Sequence, residues 1–340
     1  MLLSFSKLFC WKSINNSLGT KFLWLILLIS ILTACAETVP SEQGVRLANR
    51  GIISADISED GTLSFIGSFN DGGSLWQMSD HERLFNWNYN IEEPSAIRSA
   101  VFSEDGQFFA TSEDHTIALW KVSNGQSVRF WNNPSRTTSL DMAKQYVLIG
   151  QDNNTALVFD IINGEVIGSL QHSAVVSSVS MDDKAKFALT GSHDGVARYW
   201  SLDNGAEIHA WAHQTQVEFV RLSQDGKYAL TAAYQGPVSI WNTQTGENIS
   251  VLFTKNPGII SARFDVNSNQ LLLGTSREKV ILWDIAEQSE KTRWKIPYEG
   301  PWHRAAIVAL SFVKDKVADN NQSKQQYRVI ASDGMSYVFD

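Results

Sequence analysis

Seven times along the chain a short apolar run, a polar turn and a second run close on an aromatic residue. These residues, Trp76, Trp120, Phe159, Trp200, Trp241, Trp283 and Phe339, stand 44, 39, 41, 41, 42 and 56 residues apart. A period of this length constrains the fold more tightly than any composition does, because each copy is one supersecondary unit that cannot bury its apolar face alone. FATSEDHTIALW, FALTGSHDGVARYW and YALTAAYQGPVSIW are three of the copies. Upstream, SEDG at 58 to 61 and 103 to 106 and SQDG at 223 to 226 mark hairpins between alternating apolar residues. Downstream, a turn ending in Gly, seen in VSNGQ, IINGE, LDNGA and TQTGE, leads into a fourth strand.

Four antiparallel strands per unit, repeated seven times without helical periodicity, predict an all-β chain folded as a seven-bladed β-propeller over residues 45–340. Eleven residues after each of the first six closing aromatics comes a large apolar side chain, Trp87, Trp131, Leu170, Trp211, Leu252 and Trp294. A register held across six units is expected of a side chain that fills the gap between neighbouring sheets. The last unit reaches only its third strand, SYVFD, so an open sheet edge is expected there. Val45-Arg46-Leu47-Ala48, placed before the first complete unit with Val45 in the fourth-strand column, is expected to supply the missing strand beside residues 335–340.

The repeats resemble the WD40 family. The Trp-Asp pair appears as Trp283-Asp284, with Phe159-Asp160 and Phe339-Asp340 as variants. The resemblance implies a hydrogen-bonded structural tetrad of His, Ser or Thr, Asp and Trp, which His172, Thr190, Asp194 and Trp200 match in full. His213, Thr231 and Trp241 match in part, with Gln235 in the Asp place. Ala48, Glu92 and Lys255 are read at other histidine positions. Repeats of quinone-dependent propellers place a Trp four residues after the turn Gly, whereas Gly125 to Trp131 and Gly205 to Trp211 span six, which favours the WD40 type.

The first 34 residues read as an export signal. Lys7, Lys12 and Lys21 precede a run from Phe22 to Leu32 of eleven residues with scarcely a polar atom. A membrane-spanning helix needs roughly 20 apolar residues, so this run is too short to span. Leu32-Thr33-Ala34-Cys35 resembles the cleavage box of bacterial lipoprotein signals. That resemblance implies lipidation of the Cys35 sulfur, cleavage before it and acylation of the new amine. Residues 35–44 then form the lipidated cysteine and a short tether. The nine residues Ala36 to Gly44 hold the ring within about 30 Å of the bilayer, at about 3.3–3.6 Å per residue. Ala36, where an Asp would favour the inner membrane in this class, points to the outer membrane facing the periplasm.

Without residues 1–34 the chain keeps 25 basic and 36 acidic residues, a formal charge of −11. Such a surface is expected to avoid nucleic acid and to contact the membrane only through its lipid anchor. Cys10 leaves with the signal and Cys35 carries lipid, so no disulfide is expected.

Seven histidines in no metal-ligand spacing, no GxSxG and no phosphate-binding Gly loop predict no catalytic residue, no metal and no cofactor. Asp114, Asp194 and Asp333 each lie six residues before a closing aromatic and are read as turn residues. What remains is surface. The resemblance implies that partners meet the face built by the loop before the first strand, the start of that strand and the turn between strands two and three. The residues before the turn Asp position are Phe69, Glu113, Asp152, His193, Tyr234, Ser276 and Ser332. Ile53, Ile97, Ile260 and Val308 lie near the starts of the first strands, and the loop YEGPWHRA adds Trp302, His303 and Arg304. Phe69, His193, Tyr234, Trp302, His303 and Arg304 are therefore the candidate partner-binding residues, for a protein of the cell envelope.

A second column, Asp56, Ala100, Asp141, Ser180, Arg221, Arg263 and Ser311, is expected near the central channel, with ion pairs across the seams between blades. The function expected is a non-catalytic, membrane-anchored protein-interaction scaffold. Two alternatives stay open. One is a periplasmic hydrolase or lyase, which needs Asp56, Asp141 and a histidine to converge, and the other is a glycan-binding module built on exposed aromatics.

Overall fold

Three hairpins between first and second strands are fixed by their own sequence. The hydroxyls of Ser58, Ser103 and Ser223 donate to Asp60, Asp105 and Asp225 at 2.6, 2.7 and 2.8 Å. The same hydroxyls accept the N–H groups of Leu63, Phe108 and Tyr228, each at 2.9 Å. The turn needs a left-handed residue next, and Gly61, Gly106 and Gly226 supply it with φ of 71°, 65° and 73°.

A computed structural model describes residues 44–49, 51–69, 72–89, 96–297, 305–313 and 325–340. Within Thr38–Asp340 these form 28 strands. After β1 (Val45–Arg46), the first blade contains β2 (Ile52–Ile57), β3 (Leu63–Ser68), β4 (Gly72–Gln77) and β5 (Glu82–Trp87). The second contains β6 (Ser99–Phe102), β7 (Phe108–Ser112), β8 (Thr116–Lys121) and β9 (Ser127–Asn132). The third contains β10 (Thr137–Ala143), β11 (Tyr146–Gln151), β12 (Thr155–Asp160) and β13 (Glu165–Gln171). The fourth contains β14 (Val176–Met181), β15 (Phe187–Ser192), β16 (Val196–Ser201) and β17 (Glu207–Ala212). The fifth contains β18 (Val217–Leu222), β19 (Tyr228–Ala233), β20 (Val238–Asn242) and β21 (Asn248–Phe253). The sixth contains β22 (Ile259–Phe264), β23 (Gln270–Thr275), β24 (Lys279–Asp284) and β25 (Ser289–Lys295). The seventh contains β26 (Ile307–Val313), β27 (Gln326–Ala331) and β28 (Met335–Phe339).

Six blades are antiparallel sheets of four consecutive strands, and the seventh is ordered β1-β28-β27-β26. The N-terminal strand therefore completes the last sheet, as its sequence column anticipates. Val45 pairs with Ser336, three residues before Phe339. Trp87, Trp131, Leu170, Trp211 and Trp294 pair with the residue three before their own closing aromatics, namely Gly73, Ile117, Ala156, Ala197 and Val280. The β1 register is thus that of an ordinary fourth strand. Leu47 and Ala48 continue the join by donating their N–H groups to Gly334 O at 2.8 and 3.2 Å. One apolar core gathers Leu47, Ile52 and Met78 with Ala309 and Ile330, which seals the first blade to the seventh.

The fourth-strand column packs against the next blade's closing aromatic. Trp87 lies against Trp120 at 5.4 Å, Trp131 against Phe159 at 4.5 Å, Trp211 against Trp241 at 5.1 Å and Trp294 against Phe339 at 5.5 Å. Trp87 and Trp211 also donate their indole N–H to Gly125 O and Gly246 O, both at 2.9 Å. Both oxygens belong to turns of the following blade, so each ring carries packing and a polar bond across one seam.

Candidate functional site

The strand order dictates what each end of the ring can present. First strands begin, and second strands end, at one end, so the entering loops and the turns between second and third strands share that end. The first-to-second and third-to-fourth turns share the other.

At the loop end, six of the seven innermost strands carry a bulge at the same place, with the register shifting at Ile52/Ser54, Thr137/Ser139, Val176/Ser178, Val217/Phe219, Ile259/Ser261 and Ile307/Ala309. The extra residues are Ile53, Thr138, Ser177, Glu218, Ile260 and Val308. A bulge leaves one residue out of the ladder and re-aims its side chain. Ile260 is accordingly 39% exposed, on a strand whose next neighbours Ile259 and Ser261 are buried. Ile97 departs from the expectation. It is fully buried, in one core with Phe65 and Trp87 of the first blade, because it occupies the seam-filling place and not the bulge. The next residue, Arg98, is the exposed one, and it pairs with Asp114 at 2.7 Å.

Phe69 and Tyr234, in the turns of blades one and five, are 54% and 46% exposed, and His193 in blade four is exposed as well. These three candidate docking residues thus stand on one end of the ring, on three blades. Trp302, His303 and Arg304 lie outside the described residues, as do Cys35, the segment before it and Glu92.

Beneath this face the fourth blade brings His172, Thr190, Asp194 and Trp200 together. His172 Nδ1 lies 3.1 Å from Asp194 Oδ2, and its Nε2 lies 2.7 Å from Thr190 Oγ1, which in turn accepts the Trp200 indole N–H at 2.8 Å. An ionised carboxylate only accepts and a guanidinium only donates, and both lie against Nδ1, while Nε2 of the neutral ring faces the Thr190 hydroxyl. Burial and the Arg198 charge push the His172 pKa down, which favours that neutral form. Burial raises the Asp194 pKa, but the Ser173 N–H, Arg198 and further hydrogen bonds outweigh it and hold the carboxyl well below the usual range. Every polar atom of this group is spent on its neighbours, which is the signature of a structural brace.

The partial match in the fifth blade is looser than its sequence suggests. Trp241 donates to Thr231 at 2.9 Å, but the buried His213 Nε2 has no hydrogen-bond partner. A brace that the sequence reading missed appears in the second blade. Tyr89, two residues beyond Trp87 as His172 is two beyond Leu170, hydrogen-bonds Thr111 Oγ1 at 2.8 Å, and Thr111 accepts the Trp120 indole N–H at 2.8 Å. The Tyr89 ring meets Trp120 edge-on at 6.4 Å, as His172 meets Trp200 at 6.2 Å. The backbone bonding likewise assigns Asn256, in place of Lys255, to a histidine position, since its N–H reaches the preceding blade's turn at Gly236 O.

At the opposite end, residues of six innermost strands converge on the channel mouth. Arg263 in blade six reaches Asp56 in blade one at 3.1 Å, and Arg221 in blade five approaches Asp141 in blade three at 3.9 Å. The expectation of pairs across neighbouring seams is corrected here: each pair skips a blade and crosses the channel. Across the seams the carboxylates accept backbone N–H groups instead, Asp56 from Phe102 at 2.9 Å and Asp141 from Met181 at 2.7 Å. Two arginines do not balance the acids at this mouth, which also include Glu59, Glu104 and Asp183. Burial, then Glu104, Glu59 and Asp141, push the Asp183 pKa up to about 7. Among the described residues no three His, Cys, Asp or Glu side chains converge to hold a metal ion. No helix among them is long and apolar enough to cross a membrane.

Two segments, residues 88–121 and 164–201, match the family model for the WD40 repeat, described as WD domain, G-beta repeat. They end on the third strands of blades two and four, the two blades in which a ring, a threonine and a tryptophan are joined without a break. No curated protein matches the chain.

Proposed function

We propose that this chain is a non-catalytic scaffold of the bacterial cell envelope, anchored by lipid on Cys35 and holding another protein against the loop end of its propeller. The observation that carries the reading is the placement of Phe69, His193, Tyr234 and Ile260, large side chains left exposed at the loop end on four blades. WD40 repeats, which two blades match, typically serve to hold proteins together. The anchor rests on the sequence of residues 22–35 and its likeness to lipoprotein signals.

The experiment has two arms. Cells fed labelled palmitate are expected to label the chain, and Cys35→Ser to abolish labelling and release the protein from membranes; unchanged labelling would refute the anchor. For docking, crosslinking in intact cells followed by capture is expected to recover a partner that the Phe69→Ala, Tyr234→Ala double variant loses, with the melting temperature unchanged. Capture that survives the double variant moves the docking surface off the loop end.

A further inference from the structure

One seam of the ring is built differently from the rest. In six blades the residue two beyond the closing aromatic donates its N–H to the carbonyl just before the second strand: Met78 to Thr62, Val122 to Gln107, Ile161 to Gln145, Leu202 to Lys186, Thr243 to Lys227 and Ile285 to Asn269. The shared bond makes these positions equivalent. Five of the six are apolar and pack into apolar cores of the ring. The fifth blade alone has a threonine, and Thr243 is 6% exposed.

Facing it, the fourth blade makes a matching exception. The residue before the closing aromatic is Leu75, Leu119, Val158, Ile240, Leu282 or Val338 in the other blades, but Tyr199 in this one. Tyr199, 3% exposed, turns its phenol toward Thr243, and His209 Nε2 bonds Thr243 O at 2.9 Å. The Thr243 hydroxyl reaches Gly226 O at 2.5 Å and Lys227 O at 3.0 Å. Beside Thr243 an open hollow of about 430 Å³ lies between blades four and five, within the range of small-molecule sites.

We propose that this seam binds an uncharged saccharide. Phe187 and Tyr228, both half-buried, form one wall, and Phe187 is backed by the buried Tyr199 at 5.2 Å and 25°. Such rings suit the C–H face of a sugar. The rim brings neutral amides. Gln244 is exposed, and Asn242 Oδ1 is occupied by the N–H groups of Gln244 and Thr245 at 2.9 and 3.0 Å, so its amide nitrogen is the donor it offers. The charged groups cancel, because Lys227 Nζ lies 2.7 Å from Asp225 Oδ2. An ionic ligand would find no net counter-charge to replace its lost hydration, whereas a polyhydroxylated ring would exchange water for amides and hydroxyls. Ile208, 41% exposed, adds an apolar lip.

The cavity lies at the opposite end from the docking face, so the two assignments fail separately. The test is calorimetric titration of the folded chain with cellobiose and with di-N-acetylchitobiose. Saturable binding of either is expected, weakened at least tenfold by Thr243→Ile, which replaces the hydroxyl on the hollow's lining with the longer apolar side chain that Ile161 and Ile285 carry at the equivalent place. Gln244→Ala, an exposed change that cannot disturb the core, is expected to weaken binding severalfold with an unchanged melt. Absence of saturable binding of both sugars up to about 10 mM, a concentration that detects even millimolar affinity, would overturn the proposal. So would equal affinity in wild type and both variants.

Discussion

Trp211 of the fourth blade lies on Trp241 of the fifth, centroids 5.1 Å apart and planes 20° from parallel, while its N–H reaches past that ring to Gly246 O at 2.9 Å. One side chain thus joins two sheets by a stack and a hydrogen bond, and it is 5% exposed. Trp211→Ala removes both, and large-to-small changes of this kind cost about 3–5 kcal/mol. Urea denaturation is expected to show an unfolding free energy lower by that amount, with an earlier midpoint. The exposed neighbour Ala212→Ser, on the same strand, is the control and is expected to leave it alone.

Closure of the ring rests on a strand of two residues. Val45 and Arg46 pair with Ser336 and Met335, and Leu47, 4% exposed, enters the core shared by blades one and seven. Deleting residues 44–48 exposes that core and the β28 edge together. A fall of many degrees in melting temperature is expected by calorimetry, and a melt that stays put would mean that the last blade holds without β1.

Asp183 couples stability to pH. Burial, then Glu104, Glu59 and Asp141, with Arg221 opposing them, push its pKa up to about 7 in the folded chain from the ordinary 3.8. Between these values the folded form holds a proton that the unfolded form lacks, so stability decreases as pH rises through that window. Asp183→Asn removes the effect. The variant is expected to melt higher than wild type at pH 8, with the difference shrinking toward pH 4, and equal melts at both pH values would contradict the raised pKa.

The architecture was legible because its determinants are large and periodic. The closing aromatics, the SEDG and SQDG hairpins and the column from Trp87 to Trp294 are each one residue type doing one job at a fixed interval, and Val45 could be placed by counting. The finer contacts were not legible, for physical reasons. Tyr89 replaces an imidazole with a phenol of different reach and the same capacity to bond a threonine hydroxyl, so a search for histidine passes over it. Ile97 and Arg98 are adjacent, and only the seam decides which of them is buried. Arg263 and Asp56 lie 207 residues apart, and which spokes of a seven-fold ring face each other is a matter of side-chain reach, not of repeat spacing.

The two Arg–Asp contacts have a mechanical reading. Both run between blades that are not neighbours, at the end of the bore away from the entering loops, where they act as crossbars. A chain threading the axis at this end would have to part the Arg263–Asp56 contact, whose side chains are 11% and 18% exposed. The bore is therefore narrowed here by side chains that reach across it, a span that no single blade could make alone.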